Sequence, residues 1–173
     1  MGRAEAHKGD HKPTQLQVLV DAMQLHAHTC HIMSNPKVFD PALDFNGMTM
    51  VHIFETTLEI YMRLYEVNSI RVGDDPVLAR ERLQLGGFAQ VAADRLPALQ
   101  DLAKVQFRKL GGKPRKFWYW AAKAVSLKDG IKAWRESERK RYAPIANMTR
   151  KEDFTLPQGE AENGSRLNFA LGG

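Results

Sequence analysis

The sequence predicts an all-α fold: an antiparallel up-down four-helix bundle with flexible N- and C-terminal tails. Three observations lead there. Four stretches carry apolar residues at three- and four-residue spacing, the period of a helix face. Proline, glycine and asparagine punctuate the chain between those stretches. No run alternates apolar and polar residues as a half-buried strand would. The 173 residues are the size of one domain, and 43% apolar with 26% charged residues suits a globular chain with a real core.

Residues 1–13 are polar and aperiodic, and read as a flexible tail. Thr14 can cap a first helix, whose apolar stripe is Leu16, Leu19, Val20, Met23, Ala27 and Cys30. That helix is expected to stop near "MSNPKVFDP", where Pro36 and Pro41 cannot continue it. A second helix runs from Asp44 or Phe45 to Val67, with Met48, Val51, Phe54, Leu58, Tyr61 and Tyr65 on its stripe. Glu55, Glu59, Arg63 and Glu66 lie off that stripe, and Glu59 and Arg63 have the spacing of a favourable ion pair. "NSIRVGDDP" then breaks the pattern, and Asp75 before Pro76 has the form of an N-cap with proline at the first helical position.

The third helix is expected from Pro76 to Lys109, striped by Leu78, Leu85, Phe88, Ala92, Leu96, Leu99, Leu102 and Val105. Pro97 inside it predicts a kink, at a cost of about 3 kcal/mol that packing must offset. "KLGGKP" ends it, with Gly111 suited to a C-cap and Pro114 to opening the next element. The fourth helix sets Phe117, Ala121, Ala124, Ile131 and Trp134 on one stripe; Trp118, Tyr119 and Trp120 cannot all point inward with them. The bundle is therefore expected over 14–143. Residues 144–173 read as a C-terminal tail or docking peptide, with Leu167, Phe169 and Leu171 as its apolar members.

Charge is the most uneven property of the chain. The net charge is +5, yet residues 104–141 hold 13 Lys and Arg against Asp129, Glu136 and Glu138, a balance of +10. The remainder holds 12 basic and 17 acidic side chains, a balance of −5. Such a block points to an anionic partner. No run of about 18 apolar residues suits a membrane span, the N-terminus lacks the apolar segment of a secretory signal, and the lone Cys30 suits a reducing compartment. A cytoplasmic protein without a membrane partner is the expectation.

Candidate chemistry is sparse elsewhere. "HAHTCH" gathers His26, His28, Cys30 and His31, but on a helix His26 and Cys30 share one side while His28 and His31 share roughly the other. Solvated or packing histidines are the favoured account, and no metal or other cofactor is expected. Glu55 and Glu59 fall on a solvated face, and there is no P-loop, HExxH or nucleophile elbow. Gly86-Gly87 lies within the third helix and suits close packing better than a phosphate loop. A non-enzymatic protein is expected. The basic block supplies the candidate nucleic-acid-binding residues: Lys109, Lys113, Arg115, Lys116, Lys123, Lys132, Arg135, Arg139, Lys140 and Arg141. Phosphates match that density of charge, and the interleaved aromatics can stack bases. A solvated helix face is the bland alternative for the charges. A bundle that acts as a scaffold or adaptor for an acidic protein is the alternative function.

The stretches "HTCHIMSNPKVF", "FETTLEIYMRLYEVN", "LPALQDLAKV" and, above all, "KPRKFWYWAAKAVSLKDGIKAW" resemble the accessory variability determinant (Avd) family of diversity-generating retroelements, within the group of small bacterial four-helix-bundle proteins. Lys116, Phe117, Trp120, Ile131 and Trp134 carry the likeness in the last helix, which covers about residues 15–140 overall. The resemblance implies a homo-oligomer, a pentameric barrel with a basic surface. It also implies binding to a reverse transcriptase and its template RNA, in support of mutagenic cDNA synthesis, with no chemistry of the subunit's own. DNA or an RNA–DNA hybrid is an alternative nucleic-acid partner. Both tails and Pro97 depart from the family pattern.

Overall fold

The computed structural model describes residues 14–35, 44–109 and 115–148, with side chains over 14–35, 48–105 and 117–148. It consists of four helices: α1 (Gln15–Met33), α2 (Asp44–Ser69), α3 (Pro76–Lys109) and α4 (Arg115–Ala146). No strand occurs among the described residues. The fold is thus the all-α four-helix architecture that the periodicity predicts. Both anticipated N-caps form. Thr14 Oγ1 accepts from the Gln17 amide at 3.2 Å, and Asp75 Oδ1 accepts from the Val77 and Leu78 amides at 2.7 and 3.3 Å. Gly111, Pro114 and the apolar residues of 144–173 beyond Met148 lie outside the described residues.

Helices α1 and α3 each pack on α2 and α4. Residue pairings give the sense of the chain. Along α3, Arg82 meets Glu138, Gly86 lies against Trp134, and Gln100 donates to the Trp120 carbonyl, so α4 is crossed from its end towards its start. Arg82 also meets Val67 at the end of α2, while Phe88 lies under Arg63, one turn earlier in α2. Neighbouring helices therefore run in opposite senses along α3.

The buried faces differ from the expected ones on three helices. In α1 the core members are Val18, Ala22, Leu25, Thr29 and Ile32, whereas Leu16 is 66% exposed and Met23 and Ala27 also face out. In α2 they are Met50, Ile53, Thr57, Ile60, Leu64 and Val67, with Met48 70% exposed and Val51, Leu58 and Tyr65 also outward. In α3 the inner face is Ala79, Arg82, Gly86, Ala89, Ala92, Ala93, Leu96, Gln100 and Ala103; of the expected stripe Ala92 and Leu96 are buried and Leu85 and Leu99 pack beside them, while Phe88, Leu102 and Val105 are exposed. The reason is the same each time. α1 and α2 are apolar on two sides, and on all three helices threonine, alanine, glycine, Arg82 or Gln100 takes inward positions, so the apolar pattern does not single out the buried face. Thr29 donates to the Leu25 carbonyl at 2.9 Å and accepts from Trp120 Nε1 at 3.0 Å; Thr57 donates to the Phe54 carbonyl at 2.9 Å. On α3, alanines and glycine let the backbone approach α2 and α4 closely. A Cβ at Gly86 would sit 3.4 Å from the Trp134 ring, which bears out the close-packing reading of that glycine.

Two proline sites also deserve a physical account. α3 passes through Pro97 as one helix, flanked by the buried Leu96 and Gln100. α4 continues through Pro144 to Ala146, past the expected limit of the bundle at 143, because Tyr142 and Ala146 bury with Val72 and Ala79 in a small second cluster. Arg63 takes Glu66 as its ion-pair partner at 3.0 Å, where Glu59 was expected.

At the end of the bundle where α1 and α3 start and α2 and α4 finish, Arg82 is buried and nearly saturated. Its Nε donates to Glu138, its Nη1 to the Val67 and Ile70 carbonyls at 2.7 and 2.8 Å, and its Nη2 to Gln15 Oε1 at 2.7 Å. The Tyr142 ring lies 5.1 Å from the guanidinium carbon. One side chain thus joins all four helices and caps the last carbonyls of α2. Replacing it leaves the part-buried Glu138 carboxylate and the Ile70 carbonyl without this donor, and the Val67 carbonyl with the Ile70 amide alone. Arg82→Met is therefore expected to lower the unfolding free energy by about 3–5 kcal/mol, and Arg82→Lys by nearly as much, since an ammonium lacks the fork. Urea denaturation checks this, and stability within about 0.5 kcal/mol of wild type would contradict it.

Candidate nucleic-acid interface

α4 divides into two sides at its start. Phe117, Trp120, Ala124, Leu127, Ile131 and Trp134 are buried, in unbroken three-four spacing. Of the expected stripe, only Ala121 is merely half-buried, and Trp120 and Leu127 complete it. Trp120 is 0% exposed, its indole N–H held by Thr29 and its ring edge-on to Phe117 at 5.6 Å. Truncating a tryptophan so placed costs about 3–5 kcal/mol.

Successive residues on a helix are turned by about 100°, so burial of Phe117 and Trp120 sends the two residues between them outward, to either side. Trp118 is 55% exposed on the side of α3, where Lys104 Nζ lies 3.9 Å above its ring. Tyr119 is 57% exposed on the side of α1, with Lys123 Nζ 5.1 Å above its ring and His28 edge-on at 5.4 Å. The three aromatics that the sequence leaves undecided thus separate into one core residue and two surface residues.

The cations follow the same division. Lys132, Arg139, Lys140 and Arg141 are exposed, Arg141 lying over the Tyr142 ring at 5.1 Å. Lys123 is half-buried and borders a shallow groove between α1 and α4 with Asp21, Gln24, Ser126 and Leu127. Arg135 is committed to packing: its Nη1 donates to Gln90, and its guanidinium covers Gly87. Lys109, Arg115 and Lys116 sit on the last and first turns of α3 and α4 by backbone position, their side chains outside the described residues, as is Lys113 altogether. The structure so gathers Lys123 with Trp118 and Tyr119 at the start of α4. Arg139, Lys140 and Arg141 lie about 30 Å along the helix, with Lys132 between.

Of the acidic residues in α4, Glu138 is turned inward to Arg82, which leaves Asp129 and Glu136 on the outside. Sequence reasoning missed two contributors. Lys104 joins the site through Trp118, and Arg82 removes one negative charge from the surface; the isolation of Arg82 on a stripe of alanines and glycine was the available signal. Among the described residues, no three His, Cys, Asp or Glu lie close enough together to hold a metal ion. His26 instead donates Nδ1–H to Thr57 Oγ1 at 3.0 Å, because that hydroxyl is already donating to Phe54, and its Nε2 faces Cys30 Sγ at 3.7 Å.

Comparison with protein-family models, with characterised proteins and with solved structures found no match for the chain.

Two histidines flank this region with lowered pKa values. Burial lowers that of His26; burial, then Lys123 and His31, lower that of His28. A folded-state pKa below the unfolded value of about 6.5 means that the unfolded chain takes up protons first as pH falls. Stability is therefore unaffected by these groups above about pH 7.5 and declines as pH drops through about 6.5. Urea midpoints at about pH 7.5 and 5.5 should differ in wild type, with the lower pH weaker, and converge in His26→Gln/His28→Gln. An equal pH difference in both proteins would contradict the assignment.

Proposed function

We propose that the protein is a non-enzymatic, RNA-binding accessory subunit that serves a reverse transcriptase, as in the diversity-generating retroelements whose accessory family its sequence resembles. One observation carries the nucleic-acid part of this reading. α4 buries an aromatic and aliphatic seam, turns Lys132, Arg139, Lys140 and Arg141 to solvent along its second half, and carries two exposed aromatic rings under lysines at its start. That combination suits a phosphate backbone with bases attached better than it suits a simple anion. Of the three acidic residues on α4, Glu138 is paired with Arg82, which leaves Asp129 and Glu136 outside.

The same reading has the subunit assemble with copies of itself, as a pentamer where the resemblance holds. Met48, Val51, Leu58, Met62 and Tyr65 support this part, because they form an exposed stripe along α2 that a lone subunit has no need to keep apolar. The reverse transcriptase itself is inferred from the resemblance alone.

RNA affinity measured against salt tests the proposal. The logarithm of the association constant should fall steeply with the logarithm of salt concentration. The variant Lys132→Glu/Arg139→Glu/Lys140→Glu should bind at least about tenfold more weakly near 0.1 M salt, with a slope shallower by roughly 2–3. Equal binding by variant and wild type would sink the proposal, and capture of an acidic protein without RNA would favour an adaptor.

A further inference from the structure

The exposed aromatics at the start of α4 define what form of nucleic acid fits. Trp118 and Tyr119 diverge from one turn of the helix, and each keeps more than half of its surface open. On the helix surface between them, one and two turns further on, are Ala122 and Ser126, both exposed and both small. The two rings therefore stand on either side of a low stretch of helix formed by Ala122 and Ser126. Along α4 the next acidic residue is Asp129, about 16 Å beyond Trp118, and Asp21 of α1 shares the groove of Lys123 and Ser126; together they limit the trough to a few nucleotides.

A lysine attends each ring. Lys104 Nζ sits 3.9 Å above Trp118 and Lys123 Nζ 5.1 Å above Tyr119. Cation–π attraction sets each ammonium over one face of its ring, so a base stacks on the opposite face with the ammonium close by. The ring faces are useless to a duplex, whose bases already stack on one another and show only their edges. They are matched to unstacked bases.

Resting on the reading of α4 as the nucleic-acid face, we propose that this trough is a single-strand binding site: two unpaired bases stack on Trp118 and Tyr119 while Lys104 and Lys123 hold their phosphates. Binding there is tolerant of sequence, because every base presents a π face. The site also gives an optical signal of its own. Trp118 is the single tryptophan at the surface, since Trp120 and Trp134 are buried.

The test uses the full chain with three probes: an oligouridylate, an RNA duplex of similar charge, and inorganic polyphosphate, which offers the charge without bases. Wild type should bind oligouridylate more tightly than either control, and only oligouridylate should quench tryptophan emission. Trp118→Leu/Tyr119→Leu keeps apolar bulk but loses the π faces. It should weaken oligouridylate binding by about tenfold or more while leaving polyphosphate binding within about twofold. Trp118→Phe/Tyr119→Phe should restore most of the lost affinity. Unchanged oligouridylate binding by the leucine variant overturns the stacking site, as does an equal loss with polyphosphate or equal affinity for the duplex. If, in that event, Lys132→Glu/Arg139→Glu still weakens all three probes, the electrostatic reading of α4 survives alone; if it does not, both readings fall.

Discussion

Arg82 is the interaction on which the rest of the molecule depends. A buried guanidinium is costly unless its donors are met, and here Nε, Nη1 and Nη2 all find acceptors: a carboxylate, two main-chain carbonyls and a side-chain amide. Those acceptors come from the start of α1, the end of α2 with the residue just after it, and the end of α4. The arrangement favours one register, because sliding a helix by a turn would withdraw its acceptor from the buried guanidinium. Hydrophobic burial gathers four amphipathic helices; this fork decides how they line up.

The register fixed at that end determines what happens at the other. With Glu138 tied to α3, Trp134 meets Gly86 and Trp120 reaches Thr29, so the aromatic seam of α4 is committed to the core along its length. Helical geometry then leaves Trp118 and Tyr119 no place except the surface, together with Lys132, Arg139 and Lys140. The surface proposed for function is thus a consequence of packing. The carboxylate that would have weakened its positive field is the one used to hold the bundle together.

How much of this the sequence shows depends on the residue. The helix bounds are legible because Thr14, Asp75 and Pro76 are unambiguous starts, and Ser34-Asn35 and Gly73 mark turns, Gly73 with φ of 52°. The face of α4 is legible too, since its inner side is large and aromatic. The faces of α1 and α2 are not, because both helices are apolar on two sides, and the inner side carries Thr29, Thr49 and Thr57. A threonine that donates back to its own helix hides its polarity from the core but not from a pattern count. Arg82 and Gln100 are misleading for a related reason: sequence shows a charge and an amide, and only three dimensions show Gln100 donating to the Trp120 carbonyl at 3.4 Å. The ten basic residues share one sequence block, yet Arg135 is spent on α3, a distinction that required its partner Gln90 to be located.

The proposed nucleic-acid face is the outward side of α4, with Lys104 beside it. Ultraviolet crosslinking of the full chain to a uridine-rich RNA, with the crosslinked peptides mapped by mass spectrometry, tests that claim most directly. Crosslinks concentrated within residues 104–141, with Trp118 and Tyr119 among the modified positions, are the predicted result. Crosslinks on the outer faces of α1 and α2 with none in 104–141 would contradict it.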